Sequence, residues 1–246
     1  MVYRYCEKEN FEDLASGRVI LHRGGYPNFP VRLAQEIFRR CLRRLDDPKR
    51  VCLYDPCCGG GYLLTVLGFL NPDSISRIVA SDINPEAVGL ARENLSLLQK
   101  DGLRRRVRQL EELLRLHQKS SHQEALESAA RLWDLLEQAP WEIPHQVFQA
   151  DVLGHSSLKG QNFQADVIFA DVPYGNLVAW QGQSGEPANL LDQLLPVTRE
   201  GSVVAICSDK SQKFHSQHFQ RVEKQQAGKR LFQIFTVLPK SGREAG

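Results

Sequence analysis

The 246-residue sequence lacks several features that would have assigned it to other classes of protein. It has no apolar run of about 18 residues, so no membrane span is expected. Its N-terminus, MVYRYCEKENFEDLA, is polar and acidic, unlike a secretory signal. Its 6 cysteines do not make a disulfide framework in a chain of this length, and they are expected to be reduced. We therefore expect a cytoplasmic protein, monomeric and without a metal.

There is also little excess of charge, because the formal net charge is only +2. The charges are unevenly spread, however. Residues 18–50 carry nine Arg and Lys against three acids, and residues 210–243 carry eight against one. Basic flanks of this kind suit a polyanion held at the edges of a site. A solvated surface with chance clustering explains them equally well.

Short apolar runs alternate with amphipathic stretches along most of the chain. The run VRLAQEIFRRCLRRL has helical spacing, and Asn84 and Pro85 provide the N-cap and first position of a second helix. This alternation predicts an α/β fold, a doubly wound and mostly parallel seven-stranded sheet with an antiparallel hairpin at its C-terminal end. The predicted strands are Val51–Asp55, Arg77–Asp82, Gln146–Ala150, Asp166–Asp171, Ser202–Cys207, Phe219–Val222 and Leu231–Leu238.

One segment, residues 101–144, interrupts the alternation. It contains two stretches of helical spacing where a short connection would be usual, which predicts a helical-hairpin insertion. We predict a single domain over residues 1–246, with a basic extension and helix over residues 1–50. The start of the insertion is a candidate RNA-phosphate contact, through Arg104, Arg105, Arg106 and Arg108.

The stretch DPCCGGGYL, residues 55–63, carries the first chemical signal. A zinc site would need a second pair of ligands, and the other cysteines are scattered singly. A redox pair needs two residues between its cysteines, and a phosphate-binding loop needs Gly-Lys-Ser/Thr. The dinucleotide fingerprint would need glycine at Leu64. None of these sites fits.

What fits is an acid at a strand end followed by small residues at alternate positions. This pattern resembles the first motif of class I, Rossmann-like, S-adenosylmethionine-dependent methyltransferases, with Cys57 where glycine is common. Small residues let the loop approach the cofactor closely. Asp82, with Asn84, can bind the ribose hydroxyls, and Asp151 the adenine amino group. The expected S-adenosylmethionine site is Asp55, Cys57, Gly59, Gly61, Asp82, Asn84 and Asp151.

The fourth predicted strand ends in the sequence Asp171-Val172-Pro173-Tyr174. It resembles the D/N-P-P-Y motif of methyltransferases acting on planar nitrogens, with Val172 in place of the first proline. The Asp side chain and the following carbonyl can accept hydrogen bonds from the target nitrogen, and Tyr174 can stack on the base. We therefore predict Asp171, Pro173 and Tyr174 as catalytic residues, and Trp180 downstream as a wall against an extruded base.

Four stretches together resemble the avilamycin-resistance family of rRNA guanine methyltransferases, the AviRa type: GGYPNFPVRLAQEIF, YDPCCGGGYLLTVLG, SDINPEAVGLARENL and DVPYG. The resemblance runs from about Leu21 to Asn176. It implies S-adenosylmethionine as cofactor, 23S rRNA as partner and monomethylation of a guanine, at an exocyclic or a ring nitrogen. Two alternatives stay open. One is a methyltransferase acting on a protein amide or small molecule, and the other is a non-catalytic RNA-binding protein that keeps the cofactor fold.

Overall fold

A computed structural model describes residues 1–24, 28–154, 156–173 and 186–239. Its strands form a seven-stranded sheet in the order β3-β2-β1-β4-β5-β7-β6. Their bounds are β1 Val51–Asp55, β2 Ile75–Asp82, β3 His145–Gln149, β4 Ala165–Asp171, β5 Thr198–Ser208, β6 Phe219–Ala227 and β7 Arg230–Val237. The helices are α1 Val31–Leu42, α2 Tyr62–Leu70, α3 Pro85–Ser96, α4 Lys100–His117, α5 Ser120–Gln138 and α6 Leu190–Leu194.

The sheet is parallel from β3 through β2, β1 and β4 to β5. Strand β7 pairs antiparallel with both β5 and β6. This arrangement confirms the predicted fold class, including the C-terminal antiparallel hairpin. The strand order reverses between β1 and β4, and ligands of doubly wound sheets bind outside the carboxyl ends of the strands at such a point.

The central strands are buried on both faces of the sheet. In β4, Val167 and Phe169 belong to one core cluster, whereas Ile168 and Ala170 belong to the other. This is the alternation that a strand period of two dictates. Helices α1 and α2 contribute to the first cluster and α6 to the second, so both faces are covered.

Strand boundaries differ most from prediction at the sheet edge. β6 continues to Ala227, five residues beyond the predicted end at Val222, and pairs with β7 along its length except for an irregularity between Arg221 and Glu223. Most of its residues are exposed or half-buried polar side chains. An edge strand is held by backbone pairing, so its end left no hydrophobic signal in the sequence.

The segment between α3 and β3 consists of the two long helices α4 and α5. Each buries a narrow apolar stripe, Leu103 and Leu110 in α4 and Ala125, Ala129 and Leu132 in α5. Their remaining surface is largely polar, as the charge-rich sequence predicts. The helical hairpin therefore packs on the domain through one side only.

Candidate active site

The acidic residues predicted from the sequence meet at one edge of the sheet. β1, β2 and β4 end at Asp55, Asp82 and Asp171, and Asp151 follows the end of β3 by two residues. Because these strands are parallel and adjacent, their carboxyl ends lie side by side. The four carboxylates therefore line one continuous rim.

The environment of Cys57 shows how closely they converge. Burial, followed by Asp55, Asp82, Asp171 and Asp151, raises the pKa of the Cys57 thiol well above its usual range. Each of the four carboxylates is therefore near enough to disfavour a thiolate at this position. Cys57 is uncharged and lies where they meet.

Backbone N–H groups fix the orientation of the carboxylates. The N–H of Cys57 donates to Asp55 Oδ1 at 2.9 Å. Asp82 accepts from Gly59 N through Oδ2 at 2.8 Å and from Asn84 N through Oδ1 at 2.9 Å. The Asn84 side chain caps α3 by accepting from Glu86 N at 2.9 Å. The β2 end, the glycine loop and the start of α3 are thus one hydrogen-bonded unit.

The electrostatics of this unit favour a cationic ligand. Burial above all, with Asp171 and Asp82 nearby, raises the pKa of Asp55 well above its usual range, although the Cys57 N–H opposes the shift. Burial also raises the pKa of Asp82, against three backbone N–H groups. Neither carboxylate forms an ion pair with a described residue. A bound cation would supply the compensating charge that both lack.

Backbone conformation and packing against α3 require glycines in this loop, in addition to the predicted close approach of the cofactor. Gly59 and Gly61 have φ angles of 51° and 74°, which favour glycine. A Cβ on Gly61 would lie 3.0 Å from the Cα and Cβ of Ala91, and one on Gly60 would lie 2.6 Å from Leu90 Cδ2. Helix α3 therefore packs directly against the loop, and glycine is needed there with or without a ligand.

On the other side of the rim, β4 leads into the Asp171–Pro173 turn, residues 171–173. The N–H of Val172 donates to the Cys207 carbonyl at 3.0 Å, and the Val172 side chain is buried. A proline there would remove this hydrogen bond, which gives a reason for the departure from the D/N-P-P-Y pattern. Gln212, in the loop after β5, donates from Nε2 to the Pro173 carbonyl at 3.0 Å. Tyr174 and Trp180 lie outside the described residues.

The four arginines at the start of α4 have different surroundings. Arg106 donates to the carbonyls of Val19 and Arg18, each at 2.9 Å, so it fastens the N-terminal segment to α4. Arg104 pairs with Asp101 at 2.7 Å and lies over the Trp133 ring. Arg105 and Arg108 are exposed and have no ion pair within the described ranges. The geometry leaves these two as the more available phosphate contacts.

Sequence reasoning missed two residues, Gln212 and Asn94. Asn94 is fully buried in α3, where its Nδ2 donates to the carbonyls of Gly60 at 2.8 Å and Leu21 at 3.0 Å. Its Oδ1 accepts from Leu21 N at 2.8 Å. An asparagine on the apolar stripe of Ala91 and Leu95 is a signal that could have identified it. Gln212 lies in a polar loop and left no such signal.

Comparison with known proteins decides the family. The sequence model of the family described as rRNA methyltransferase AviRa matches residues 1–230. The chain belongs to the AviRa family. A 23S rRNA (guanine(2535)-N(1))-methyltransferase of Streptomyces viridochromogenes is 39% identical over 233 residues, which cover 93% of each chain. Family membership makes the protein an rRNA methyltransferase, which argues against the protein-amide, small-molecule and binding-only alternatives.

Solved structures agree with this assignment. The rRNA methyltransferase AviRa of S. viridochromogenes superposes with a TM-score of 0.87 at 36% identity and 96% coverage of each chain. The YhhF protein of Escherichia coli superposes with a TM-score of 0.50 at 11% identity and 86% coverage of this chain, and shares the fold alone. At 96% coverage, the AviRa superposition extends over nearly the whole chain.

Within residues 1–24, 28–154, 156–173 and 186–239, no cluster of His, Cys, Asp and Glu side chains is arranged to hold a metal ion. None of the helices there is long and apolar enough to cross a membrane.

Proposed function

We propose that the protein transfers a methyl group from S-adenosylmethionine to N1 of a guanine base in 23S rRNA. The observation that carries the proposal is the convergence of four strand-end carboxylates around Cys57. The name of the Streptomyces relative, a guanine N1 methyltransferase of 23S rRNA, supports the choice of base and atom. Ribosomal RNA as substrate implies work in the cytoplasm, and we propose that the protein acts there as a monomer.

The residues present fit the cofactor. Asp55 is a buried carboxylate with a raised pKa and no ion pair to a described residue, which suits the ammonium group of the methionine moiety. Asp82 accepts from backbone N–H groups, including those of Gly59 and Asn84, at the next strand end, where a carboxylate can accept both ribose hydroxyls. Asp151 would accept the adenine amino group. When bound, S-adenosylmethionine supplies an electrophilic methyl group on a positively charged sulfur.

Asp171 is the proposed base. Guanine presents its N1–H and N2–H donors side by side, and one carboxylate can accept both. With the cofactor bound, a carboxylate oxygen of Asp171 would accept the N1 proton as N1 takes the methyl group and the sulfur keeps the electron pair of the broken S–C bond. The guanine must be extruded from its stack to reach the rim, at a cost of a few kcal/mol. Tyr174, beside Pro173, stays the predicted stacking partner that offsets part of this cost.

The RNA backbone has to approach the carboxyl edge of the sheet. Lys210 and Lys213 lie in the loop that follows β5 at this edge, and both are exposed. We propose them as phosphate contacts, together with the exposed Arg105 and Arg108 of α4. Arg104 and Arg106, which already have intramolecular partners, and Trp180 complete the predicted RNA-binding set.

The decisive experiment is methyl transfer from labelled S-adenosylmethionine to protein-free 23S rRNA, followed by digestion and nucleoside mass spectrometry. The expected product is 1-methylguanosine, and Asp171→Ala is the matched inactive control. Label in N2-methylguanosine would contradict the proposed atom but keep the enzyme class. Absence of label in the RNA, with S-adenosylmethionine binding intact, would contradict the proposed function.

A further inference from the structure

Gln212 bridges two loops at the carboxyl edge of the sheet. Its Nε2 donates to the Pro173 carbonyl at 3.0 Å, and its Oε1 accepts from Asp209 N at 3.2 Å. A carbonyl can only accept and an N–H can only donate, so these partners determine which way the amide faces. Gln212 is thus a directed link from the start of the β5–β6 loop to the Asp171–Pro173 turn.

The loop that carries Gln212 is itself held in place. Asp209 Oδ1 accepts from Ser211 N at 2.8 Å, and the Asp209 carbonyl accepts from Gln212 N at 3.3 Å. Two residues farther on, Phe214 is only 5% exposed and belongs to the same core cluster as Val172. The amide of Gln212 is therefore presented from a folded loop anchored in the core.

Among the described residues, the turn is tied to the sheet by the pairing of Asp171 with Cys207 and by one further backbone hydrogen bond. Val172 donates its N–H to the Cys207 carbonyl at 3.0 Å, and Pro173 has no N–H to donate. The Pro173 carbonyl lies two residues beyond the end of β4, and its described partner is Gln212. This carbonyl belongs to the peptide that follows Pro173, so holding it restrains the far end of the turn that begins at Asp171.

We propose that Gln212 is a positioning residue for methyl transfer, one that holds the Asp171–Pro173 turn in the orientation that the acceptor nitrogen requires. The proposal rests on the proposed function of Asp171. Transfer is sensitive to such orientation, because a displacement of about 1 Å in a reacting group can cost about 100-fold in rate. The described side-chain hydrogen bonds of Gln212 go to Asp209 and Pro173, outside the cofactor rim, so its effect should fall on turnover.

The test compares Gln212→Met and Gln212→Glu with the wild type. Met keeps the length and removes both hydrogen bonds, while Glu keeps the acceptor for Asp209 N and removes the donor to Pro173. Both variants should lower kcat about 10- to 100-fold, with the Kd for S-adenosylmethionine and the KM for RNA within about twofold. Gln217→Met is the matched control, because Gln217 is exposed and its described side-chain hydrogen bond is to His218, outside the Asp171–Pro173 turn. That control should keep wild-type turnover.

A second readout does not depend on the substrate. Amide hydrogen exchange of the peptide containing Val172 should accelerate in Gln212→Met and stay unchanged in Gln217→Met, because the turn loses its tether. Unchanged exchange and unchanged kcat would each overturn the proposal. So would a parallel loss of turnover, cofactor affinity and melting temperature, since that indicates a general structural role. If the wild type fails to methylate 23S rRNA, the proposed function falls, and the exchange experiment still decides whether Gln212 holds the turn.

Discussion

The two halves of the candidate site are built in different ways. On the cofactor half, at the ends of β1 and β2, the carboxylates of Asp55 and Asp82 accept hydrogen bonds from backbone N–H groups of the glycine loop and of the start of α3. On the acceptor half, at the ends of β4 and β5, the turn after Asp171 is held from a distant loop by Gln212 and by the Val172–Cys207 hydrogen bond.

The difference indicates how each half responds to substitution. Backbone donors cannot be removed by changing a side chain, so the cofactor half keeps its donors when a carboxylate is replaced. An asparagine retains the one hydrogen bond of Asp55 and one of the two of Asp82. The acceptor half depends on the Gln212 side chain in addition to a backbone hydrogen bond, so its geometry is open to a single substitution. Changes on the first half should appear in cofactor affinity, and changes on the second in turnover.

The largest effect is expected for Asp171→Asn, which keeps the size of the side chain but removes the carboxylate. Turnover should fall about 100- to 1000-fold, because the acceptor nitrogen loses its base and the two carboxylate oxygens are reduced to one uncharged amide oxygen. Affinity for S-adenosylmethionine should not weaken. Asp171 contributes to the raised pKa of Asp55, so removing its charge favours the ionised form of Asp55. Single-turnover kinetics and calorimetry separate the two quantities.

Full turnover by Asp171→Asn would show that Asp171, on the acceptor half, is not the catalytic base. Weaker cofactor binding by the same variant would show that the two halves are not separable. Asp73→Asn, at an exposed carboxylate outside the rim, serves as the control for loss of a charge.

The next effect is expected for Asp82→Asn. Charge-assisted hydrogen bonds contribute about 1.5–3 kcal/mol each, so the Kd for S-adenosylmethionine should rise about 10- to 100-fold. Turnover at saturating cofactor should stay within a few-fold of the wild type, because Asp82 does not contact the acceptor half. Calorimetric titration measures the first quantity and a saturated assay the second. A normal Kd with reduced turnover would show that Asp82 acts in methyl transfer and not in cofactor binding.

A smaller effect is expected for the surface charges. Replacing Lys210 and Lys213 with Gln should weaken RNA binding and reduce the slope of log K against log salt by about 0.7 for each phosphate contact removed. Replacing Arg105 and Arg108 tests the same property on α4. Filter binding at several salt concentrations measures both slopes. An unchanged slope for the lysine pair would exclude the β5–β6 loop from the RNA interface.

Much of the fold and the cofactor half was predictable because its signals are local. Apolar runs that end in an acid marked Asp55, Asp82 and Asp171, and the parallel sheet brings such ends together wherever the strands are adjacent. The N-cap at Asn84 was predictable for the same reason, because a helix cap and the residues it binds are close in sequence. The roles assigned to these side chains stay predictions.

The acceptor half was less predictable because its contacts are not local. Gln212 and Pro173 are 39 residues apart, and both lie in loops without periodicity. The surroundings of Arg104 and Arg106 could not be predicted for a related reason. Arg106 binds distant carbonyls and Arg104 stacks on Trp133, and the sequence does not distinguish such arginines from hydrated ones. Tertiary contacts of polar side chains leave little trace in the order of residues.

The smallest expected effect concerns stability. The pKa of Asp55 is raised in the folded protein, so between its unfolded and folded values the native state binds more protons than the unfolded chain. Stability contributed by Asp55 is therefore lost as pH rises through that window, and the cofactor-free protein is penalised at neutral pH. Asp55→Asn, whose Oδ1 can still accept the Cys57 N–H, removes this penalty.

The variant should accordingly melt at a higher temperature than the wild type at pH 8, by about 2–4 °C for each kcal/mol relieved, and the gain should shrink as pH approaches 4. It should also bind S-adenosylmethionine more weakly, because the ammonium group loses its counter-charge. Thermal melts across pH, with and without cofactor, measure both, with Asp73→Asn as the control. A destabilised Asp55→Asn at pH 8 would mean that the buried carboxylate is already compensated in the free protein. The cofactor half would then not be held ready for a cation.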